Sequence, residues 1–270
     1  MAEPRPITFL SDYGYEDEFV GVCHAVISQI APGVPVTDLT HGIARQDVMQ
    51  GAVALANALP FCPPGVHLAV VDPGVGSPRR AIAVAAGEGR FLVGPDNGLL
   101  SRAADRLGGA TDAVDISRSP FRLEPVSATF HGRDLFAPVA AHLALGARLS
   151  EAGAPIDPTS LAALDLPSPA IESNKVGAHA IHVDGYGNVT LNLDAAMLDR
   201  GPLRPGDRVQ VRAPDGRFEA LWARTFSDVE PGDLLLYEDS SGALALAANG
   251  GNAAGLLDLR PGSPIELRHQ

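Results

Sequence analysis

The segment Val66–Val71 (VHLAVV) is an apolar run broken only by His67. A run of this kind does not alternate between a core face and a wet face. It suits a parallel strand covered by helices on both sides. Asp72-Pro73-Gly74-Val75-Gly76 follows, and that turn chemistry stops the strand. A chain holding such a strand must also supply covering helices, and the flanking sequence does. Ile7–Leu10 is a short apolar run after Pro6. Glu18–Ile30 carries Phe19, Val22, Cys23, Val26, Ile27 and Ile30 at helical spacing and stops at Pro32-Gly33. Val34–Leu39 reads as a strand, and Asp47–Leu59 as a helix started by Asp47 and closed before Pro60. Ala81–Ala85 and Arg90–Val93 read as a hairpin around Gly87–Gly89. Asn97–Leu107 reads as a helix, Ala113–Ile116 as a strand, and Asp134–Leu145 as a helix capped by Gly146. This alternation predicts an N-terminal α/β domain with a mainly parallel sheet.

The pattern changes near residue 150. Ala154–Pro169 is rich in Pro, Asp and Ser and reads as a linker. Beyond Lys175 the segments are short and strand-like: Ala178–Val183, Val189–Leu193, Arg208–Arg212, Phe218–Ala223, Leu234–Tyr237, Leu244–Ala247 and Pro264–Arg268. Turn residues separate them, among them Pro214-Asp215-Gly216 and Ser240-Ser241-Gly242. That spacing predicts a C-terminal antiparallel β domain, a compact sheet or small barrel. The expected division is residues 1–165 for the α/β domain, 166–175 for the linker and 176–270 for the β domain.

Composition excludes several function classes. The chain has 270 residues, a formal net charge of −12 and 2 Cys. Cys23 and Cys62 make no disulfide framework and no Cys-x-x-Cys zinc pair. The acidic balance argues against a nucleic-acid or membrane-surface partner. Lys175 is the only lysine, which removes a Schiff-base or phosphate-loop lysine elsewhere. No stretch approaches the roughly 18 apolar residues of a membrane span. The opening MAEPRPITFLSDYG has too short an apolar run for a signal segment, so a cytoplasmic protein is expected.

The informative polar residues follow strands. Ser11-Asp12-Tyr13-Gly14 comes directly after the first strand, where ligands bind in parallel sheets. Asp12 could accept bonds from a ribose diol, or simply cap a turn. Asp72 ends the strongest strand, and Arg79 and Arg80 follow. Asp72 and Arg79 could act on a substrate or merely pair to hold their loop. Thr129-Phe130-His131-Gly132-Arg133-Asp134 precedes a helix, and His131 could complete a polar triad with them. Asp184-Gly185-Tyr186-Gly187-Asn188 reads as a hairpin turn with Asn188 in the left-handed conformation. His179 and His182 point to opposite faces of a predicted strand and make a poor metal pair. Asn249-Gly250-Gly251-Asn252 reads as a turn or as a ligand loop. There is no Gly-x-Ser-x-Gly elbow, no phosphate loop and no dinucleotide glycine motif.

Six segments occur in order: SDYGYEDEFVG, VVDPGVGSPRRAI, VGPDNGLL, SATFHGRDLFAP, VDGYGNVTLN and ANGGNAA. Any one is weak; together they are highly specific. The chain resembles the S-adenosyl-L-methionine (SAM) hydrolases, also called SAM hydroxide adenosyltransferases, relatives of the SAM-dependent fluorinase and chlorinase. The resemblance covers almost the whole chain. It implies an N-terminal α/β domain joined to a C-terminal antiparallel β domain. It implies a homotrimer, with SAM held between the N-terminal domain of one subunit and the C-terminal domain of the next. The implied reaction is attack of water on ribose C5′, giving adenosine and L-methionine. The family's Asp–Arg–His triad falls on Asp72, Arg79 and His131. The ribose-holding Asp falls on Asp12, an acidic position near the methionine amino group on Asp17, and the methionine-side loop on Asp184 and Asn188. Phe226 resembles the adenine-stacking position and Ser240 the contact to the methionine carboxylate.

Departures separate this chain from the halogenases. Those have a Tyr-Ser pair where this chain has His131-Gly132, and their Ser contacts halide. They have a Tyr in place of Asp72, and an Arg where this chain has Ser241. The first two differences favour water as the nucleophile. A sulfonium is already a good leaving group, so the reaction needs no metal and no cofactor beyond SAM as substrate. Arg79 favours the anionic form of the attacking water, while Asp72 and His131 orient it and take its proton. Fixed geometry supplies much of the remaining acceleration. The competing readings are a SAM-dependent halogenase, a non-catalytic SAM or adenosine sensor, and an ordinary nucleotide-binding α/β protein. The last is weakened by the missing phosphate loop.

Overall fold

The computed structural model describes residues 4–199 and 201–270. Met1–Glu3, where the first predicted domain starts, and Arg200 lie outside the described residues. The chain forms two compact units, Met1–Leu164 and Asp165–Gln270.

The first unit contains β1 (Ile7–Ser11), α1 (Phe19–Ile30), β2 (Val36–Thr40), α2 (Val48–Ala58), β3 (Val66–Val70), β4 (Ala81–Ala86) and β5 (Arg90–Pro95). It continues with α3 (Ser101–Arg106), β6 (Ala110–Asp115), α4 (Ala137–Ala144), α5 (Leu149–Ala152) and β7 (Ala154–Ile156). The strands form one sheet in the order β2-β1-β3-β5-β4-β6-β7. Pairings from β2 through β5 are parallel. Those from β5 through β7 are antiparallel. The sheet is therefore mixed, not mainly parallel. The β4–β5 hairpin turns the chain over, and each strand added outside it pairs antiparallel.

The apolar run is covered as its pattern requires. Val66, Leu68 and Val70 pack with residues of α1 and α4 on one face. Ala69 and Val71 pack with residues of α2 and α3 on the other. Its polar break is satisfied inside the core. The Nδ1 of His67 lies 2.8 Å from Thr8 Oγ1, and Arg90 Nη1 approaches its Nε2 at 3.3 Å. Burial, then the Arg90 charge, push the His67 pKa down to about 4, so the ring is neutral. Asp47 caps α2 by accepting from Gln50 N–H at 2.9 Å. By contrast α3 starts at Ser101, not at Asn97. The Asn97 side chain accepts from Leu99 N–H, and Gly98 sits at φ +93, so residues 97–100 make a turn. The stretch read as a linker includes β7, which pairs with β6.

The second unit contains β8 (Ala170–Ile171), β9 (Val176–Val183), β10 (Val189–Asp194), β11 (Arg208–Ala213), β12 (Gly216–Trp222), β13 (Leu234–Glu238), β14 (Ala243–Ala248), α6 (Ala253–Leu256) and β15 (Pro264–His269). Their order is β10-β14-β13-β12-β11-β15-β9-β8, and an extra β10–β9 pairing closes the sheet into a barrel. Closure removes exposed strand edges. Inward residues such as Val176, Leu191, Val211, Trp222, Leu246 and Leu267 form its core. The pairing is not antiparallel throughout: β12 and β13 run parallel. The connection between them returns the chain to the starting end, which a tight hairpin does not do. Among the described residues no helix is long and apolar enough to cross a membrane.

Candidate active site

Parallel strands β1, β2, β3 and β5 end on one edge of the first sheet, and chemistry-bearing residues follow them there. Asp12 follows β1, His41 follows β2, Asp72 follows β3 and Asp96 follows β5. Because β4 is antiparallel to β5, with Ala81 opposite Pro95, its beginning lies at this same edge and carries Arg79. His131 stands before one turn of π-helix, Gly132–Phe136, which leads into α4 and packs against β3. Such turns recur at functional sites.

Asp72, Arg79 and His131 meet. Arg79 Nε donates to Asp72 Oδ1 at 2.8 Å, and Arg79 Nη2 donates to the other carboxylate oxygen. The same Nη2 lies 2.9 Å from His131 Nδ1. Arg79 is also stacked over the Phe136 ring, 5.3 Å from its centroid. The Asp72 and Arg79 side chains are only 6% and 11% exposed, so the bidentate pair is strong and little screened. A guanidinium only donates. Nδ1 of His131 is therefore the acceptor, and in the neutral ring Nε2 carries the hydrogen. Burial, and then the Arg79 charge, hold the His131 pKa below its ordinary value, with Asp72 partly opposing. The ring is neutral near pH 7.

Neighbouring bonds fix this group. Asn97 Nδ2 donates to the carbonyl of Val71 at 2.9 Å, immediately before Asp72. Arg80 is drawn away to Asp96 Oδ2 at 2.7 Å and to Ser160. Asp134 accepts from Ser127 N–H at 2.7 Å and pairs with Arg133, which holds the loop before the π-turn. Burial alone would raise the Asp134 pKa; the Arg133 and Ser127 bonds outweigh it and keep the carboxyl below its ordinary value.

Asp12 is half-buried, and its Oδ2 accepts from Gln46 N–H at 2.8 Å. Gln46 has φ +66, a left-handed backbone that presents its N–H to Asp12. Gly14 N–H donates to the His41 carbonyl at 2.8 Å, so two contacts clamp the loop after β1. Asp17 lies in an exposed bend before α1.

In the second unit Asp184 Oδ1 accepts from the N–H groups of Tyr186 and Asn188, both at 2.9 Å. Asn188 Nδ2 donates to Asp184 Oδ2 at 2.8 Å. The turn is real, but Gly187 at φ +84, not Asn188, takes the left-handed position. A side chain at Gly187 would also strike Asn252, which ties this turn to the Asn249–Asn252 loop. Phe226 is 37% exposed and tilts against Tyr237 at 5.2 Å between centroids. Ser240 is exposed in the turn between β13 and β14, where Asp239 accepts from Ser241.

The family model for the SAM hydroxide adenosyltransferase N-terminal domain matches residues 7–153, and that for the C-terminal domain matches residues 178–266. The chain belongs to the SAM hydroxide adenosyltransferase family. It is 48% identical over 267 residues to the (R)-S-adenosyl-L-methionine hydrolase of Salinispora tropica, covering 99% of each chain. It is 40% identical to the protein of that name from Thermus thermophilus, over 97% of this chain and 99% of that one. A fluorinase from an Actinoplanes species is 29% identical over 97% of this chain and 96% of its own. A conserved protein from Thermotoga maritima has the same fold, with TM-score 0.91 and 36% identity over 97% of this chain and 100% of that one.

The geometry of this SAM hydroxide adenosyltransferase family member adds a contact that sequence reasoning missed. An atom built at the Cβ position of Gly132 would lie 2.1 Å from Tyr13 Oη. The Tyr13 ring is walled by Phe9, Phe19 and Phe130, with centroids 6.4, 5.9 and 5.8 Å away. Burial is the main cause that raises the Tyr13 phenol pKa well above its ordinary value, followed by the charges of Cys23, Asp12 and Asp72. Tyr13 therefore fills the space beside His131 that a side chain at 132 would need. Gln46 and His41 were missed as well. The signal available was His41-Gly42 at the end of a predicted strand.

Proposed function

We propose that this chain hydrolyses S-adenosyl-L-methionine, in its (R) sulfonium form, to adenosine and L-methionine. The observation that carries the reading is Arg79, one guanidinium bound to both Asp72 and His131. Family membership and near full-length similarity to proteins named (R)-S-adenosyl-L-methionine hydrolase support it.

Water oxygen attacks ribose C5′ as the C5′–S bond breaks, and the bonding pair leaves on sulfur. The sulfonium becomes a neutral thioether, so departure needs no acid and no added cofactor. Water must be placed in line and made more hydroxide-like. His131, with Nδ1 held by Arg79, offers its Nε2–H to orient that water. Its acceptor nitrogen is occupied, so the water proton goes to Asp72, which keeps free lone pairs beyond those bound by Arg79. The Arg79 charge stabilises the developing hydroxide. Asp12 holds the ribose hydroxyls with the lone pairs that Gln46 leaves free. Asp17, Asp184, Asn188 and Ser240 hold the methionine end, and Phe226 stacks on adenine. The proposal includes the homotrimer and the cytoplasmic location expected from the sequence; sedimentation equilibrium tests the former.

Halide chemistry is disfavoured by the Tyr13 hydroxyl, which occupies the place of a side chain at 132. The test is chromatography with mass detection after incubation with SAM in fluoride-free, chloride-containing buffer. Adenosine and methionine in equal amounts, formed about 10²–10³ times more slowly with Arg79→Ala, is the expected result. A 5′-chloro product, or SAM recovered bound and intact, would overturn the proposal.

A further inference from the structure

We propose that His24, Asp38 and His41 form a binding site for a divalent transition metal of the zinc class, sharing no residue with the Asp72–Arg79–His131 group. His24 lies on α1, Asp38 on β2, and His41 just beyond β2. Nε2 of His24 is hydrogen-bonded to Asp38 Oδ1 at 2.8 Å, a bond that an ion would replace with slight separation of the two groups, and Nε2 of His41 is 3.1 Å from the same oxygen. All three donor atoms lie within 4.8 Å of one another.

His41 decides between a metal site and a plain hydrogen-bonded cluster. Its side chain is 0% exposed, yet its Nε2 makes no hydrogen bond. The Asp38 oxygen is close enough but off the N–H direction. Two ligands of one ion stand in that relation, each lone pair aimed at the ion. With bonds of ~2.0–2.1 Å and tetrahedral angles, such ligands sit about 3.3 Å apart. The other ring nitrogen, Nδ1, is 2.7 Å from Ser11 Oγ, the outer bond that orients a metal-bound imidazole. Phe9 and Tyr15 pack edge-on against the ring at 4.6 and 5.2 Å and hold it still. His24 and Asp38 are 33% and 28% exposed, so an ion can enter and keep water at a fourth position. Two imidazoles and one carboxylate suit Zn2+, Co2+ or Ni2+ better than Mg2+ or Ca2+.

A bound ion would tie α1 to β2, and through His41 and Ser11 would stiffen the loop carrying Asp12. That coupling rests on the ribose role proposed for Asp12; the binding itself does not. The test uses tag-free, full-length, chelator-treated protein. Calorimetry with Zn2+ and the visible spectrum with Co2+ should give one ion per chain. The Co2+ spectrum should show a four-coordinate nitrogen and oxygen site without a thiolate band. His24→Ala and His24→Gln, changes at a partly exposed helix position, should each weaken binding at least tenfold, as dichroism shows the fold kept. Cys62→Ser should leave affinity unchanged. Stoichiometry well below one, a thiolate band, or equal affinity in both His24 variants would overturn the proposal and leave a hydrogen-bonded cluster only.

Discussion

Gly132→Ala sets two physical effects against each other. Helix propensity favours the change, because alanine in a helical turn is more stable than glycine by about 1 kcal/mol. Packing opposes it. The new Cβ would lie 2.1 Å from Tyr13 Oη and 3.0 Å from Tyr13 Cζ, where ordinary contact begins near 3.4 Å. The Tyr13 ring has aromatic neighbours on several sides, Phe9, Phe19 and Phe130 among them, so it gives way only by disturbing them. Overpacking of that kind costs about 1–3 kcal/mol, and the overlap here argues for the upper end. Packing wins, and the net loss is about 2 kcal/mol. For a unit of this size it lowers Tm by roughly 4–8 °C. Displacement of the adjoining His131 by an ångström should also cut kcat about 100-fold. The assay is thermal melting and steady-state turnover of wild type, Gly132→Ala, Tyr13→Phe and the double variant. Tyr13→Phe removes the atom at 2.1 Å, so the double variant should regain most of the loss, a coupling of about 1–2 kcal/mol. If Gly132→Ala melts at or above wild type, propensity has won and the packing argument is wrong. If the double variant regains nothing, Tyr13 is not the obstacle.

Arg79→Ala should lower kcat by about 10²–10³ with SAM affinity changed less than threefold, and Arg79→Lys should not restore it, because a point charge does not bridge Asp72 and His131. Turnover near wild type in either would remove Arg79 from the mechanism. Asp12→Ala should weaken adenosine binding at least tenfold by calorimetry, as expected for loss of a charged hydrogen bond; an unchanged Kd would refute the ribose role. His67 is held neutral, with its pKa depressed to about 4. The unfolded state takes up that proton below about pH 6.5 and the folded state does not, so stability falls as pH drops from 6.5 toward 4. This group alone should contribute about 2–3 kcal/mol of loss between pH 7 and 4.5. Urea melts of His67→Gln should show a correspondingly flatter pH dependence, and an equal slope would show that other groups control it.

Features set by local chemistry were legible in the sequence. Asp47 before an apolar period marked a helix start because an N-cap acts over three residues. The doubly covered strand was legible because Val66–Val71 is short, rich in β-branched residues and closed by a turn, which favours a buried strand over a buried helix. Asp72 and Arg79 were separated by one loop, so their pairing was open to inference from spacing. His131 was only a candidate: its meeting with Arg79 spans 52 positions, a separation that spacing does not bridge, and the family resemblance supplied the pairing. The Tyr13–Gly132 contact joins segments still further apart and depends on the absence of a side chain, which leaves no mark in spacing. The left-handed position at Gly187 rather than Asn188 also escaped, since either residue tolerates it and the Asp184 bonds decide. Strand direction was the largest miss. The hairpin at Gly87–Gly89 was visible, but its effect on every strand outside it was not followed through.

That reversal has a chemical consequence. A parallel β4 would need a crossover of a dozen or more residues after β3. Its start would lie at the far edge of the sheet, about 20 Å from Asp72 across a strand of this length. Antiparallel β4 instead begins beside the end of β5, and the loop 71–80 never leaves the edge where Asp12 and Asp72 lie. Asp96 N–H donates to the Arg80 carbonyl at 3.0 Å, which extends the β4–β5 ladder by one step. Successive residues entering a strand point to opposite sides. Arg80 therefore meets Asp96, and Arg79 is left for Asp72 and His131. The parallel half of the sheet brings the loops carrying Asp12, Asp72 and Asp96 to one edge, and the inverted strand brings them a cation. Without the inversion this edge would lack the Arg79 cation, and the hydroxide of the proposed reaction would face carboxylates alone.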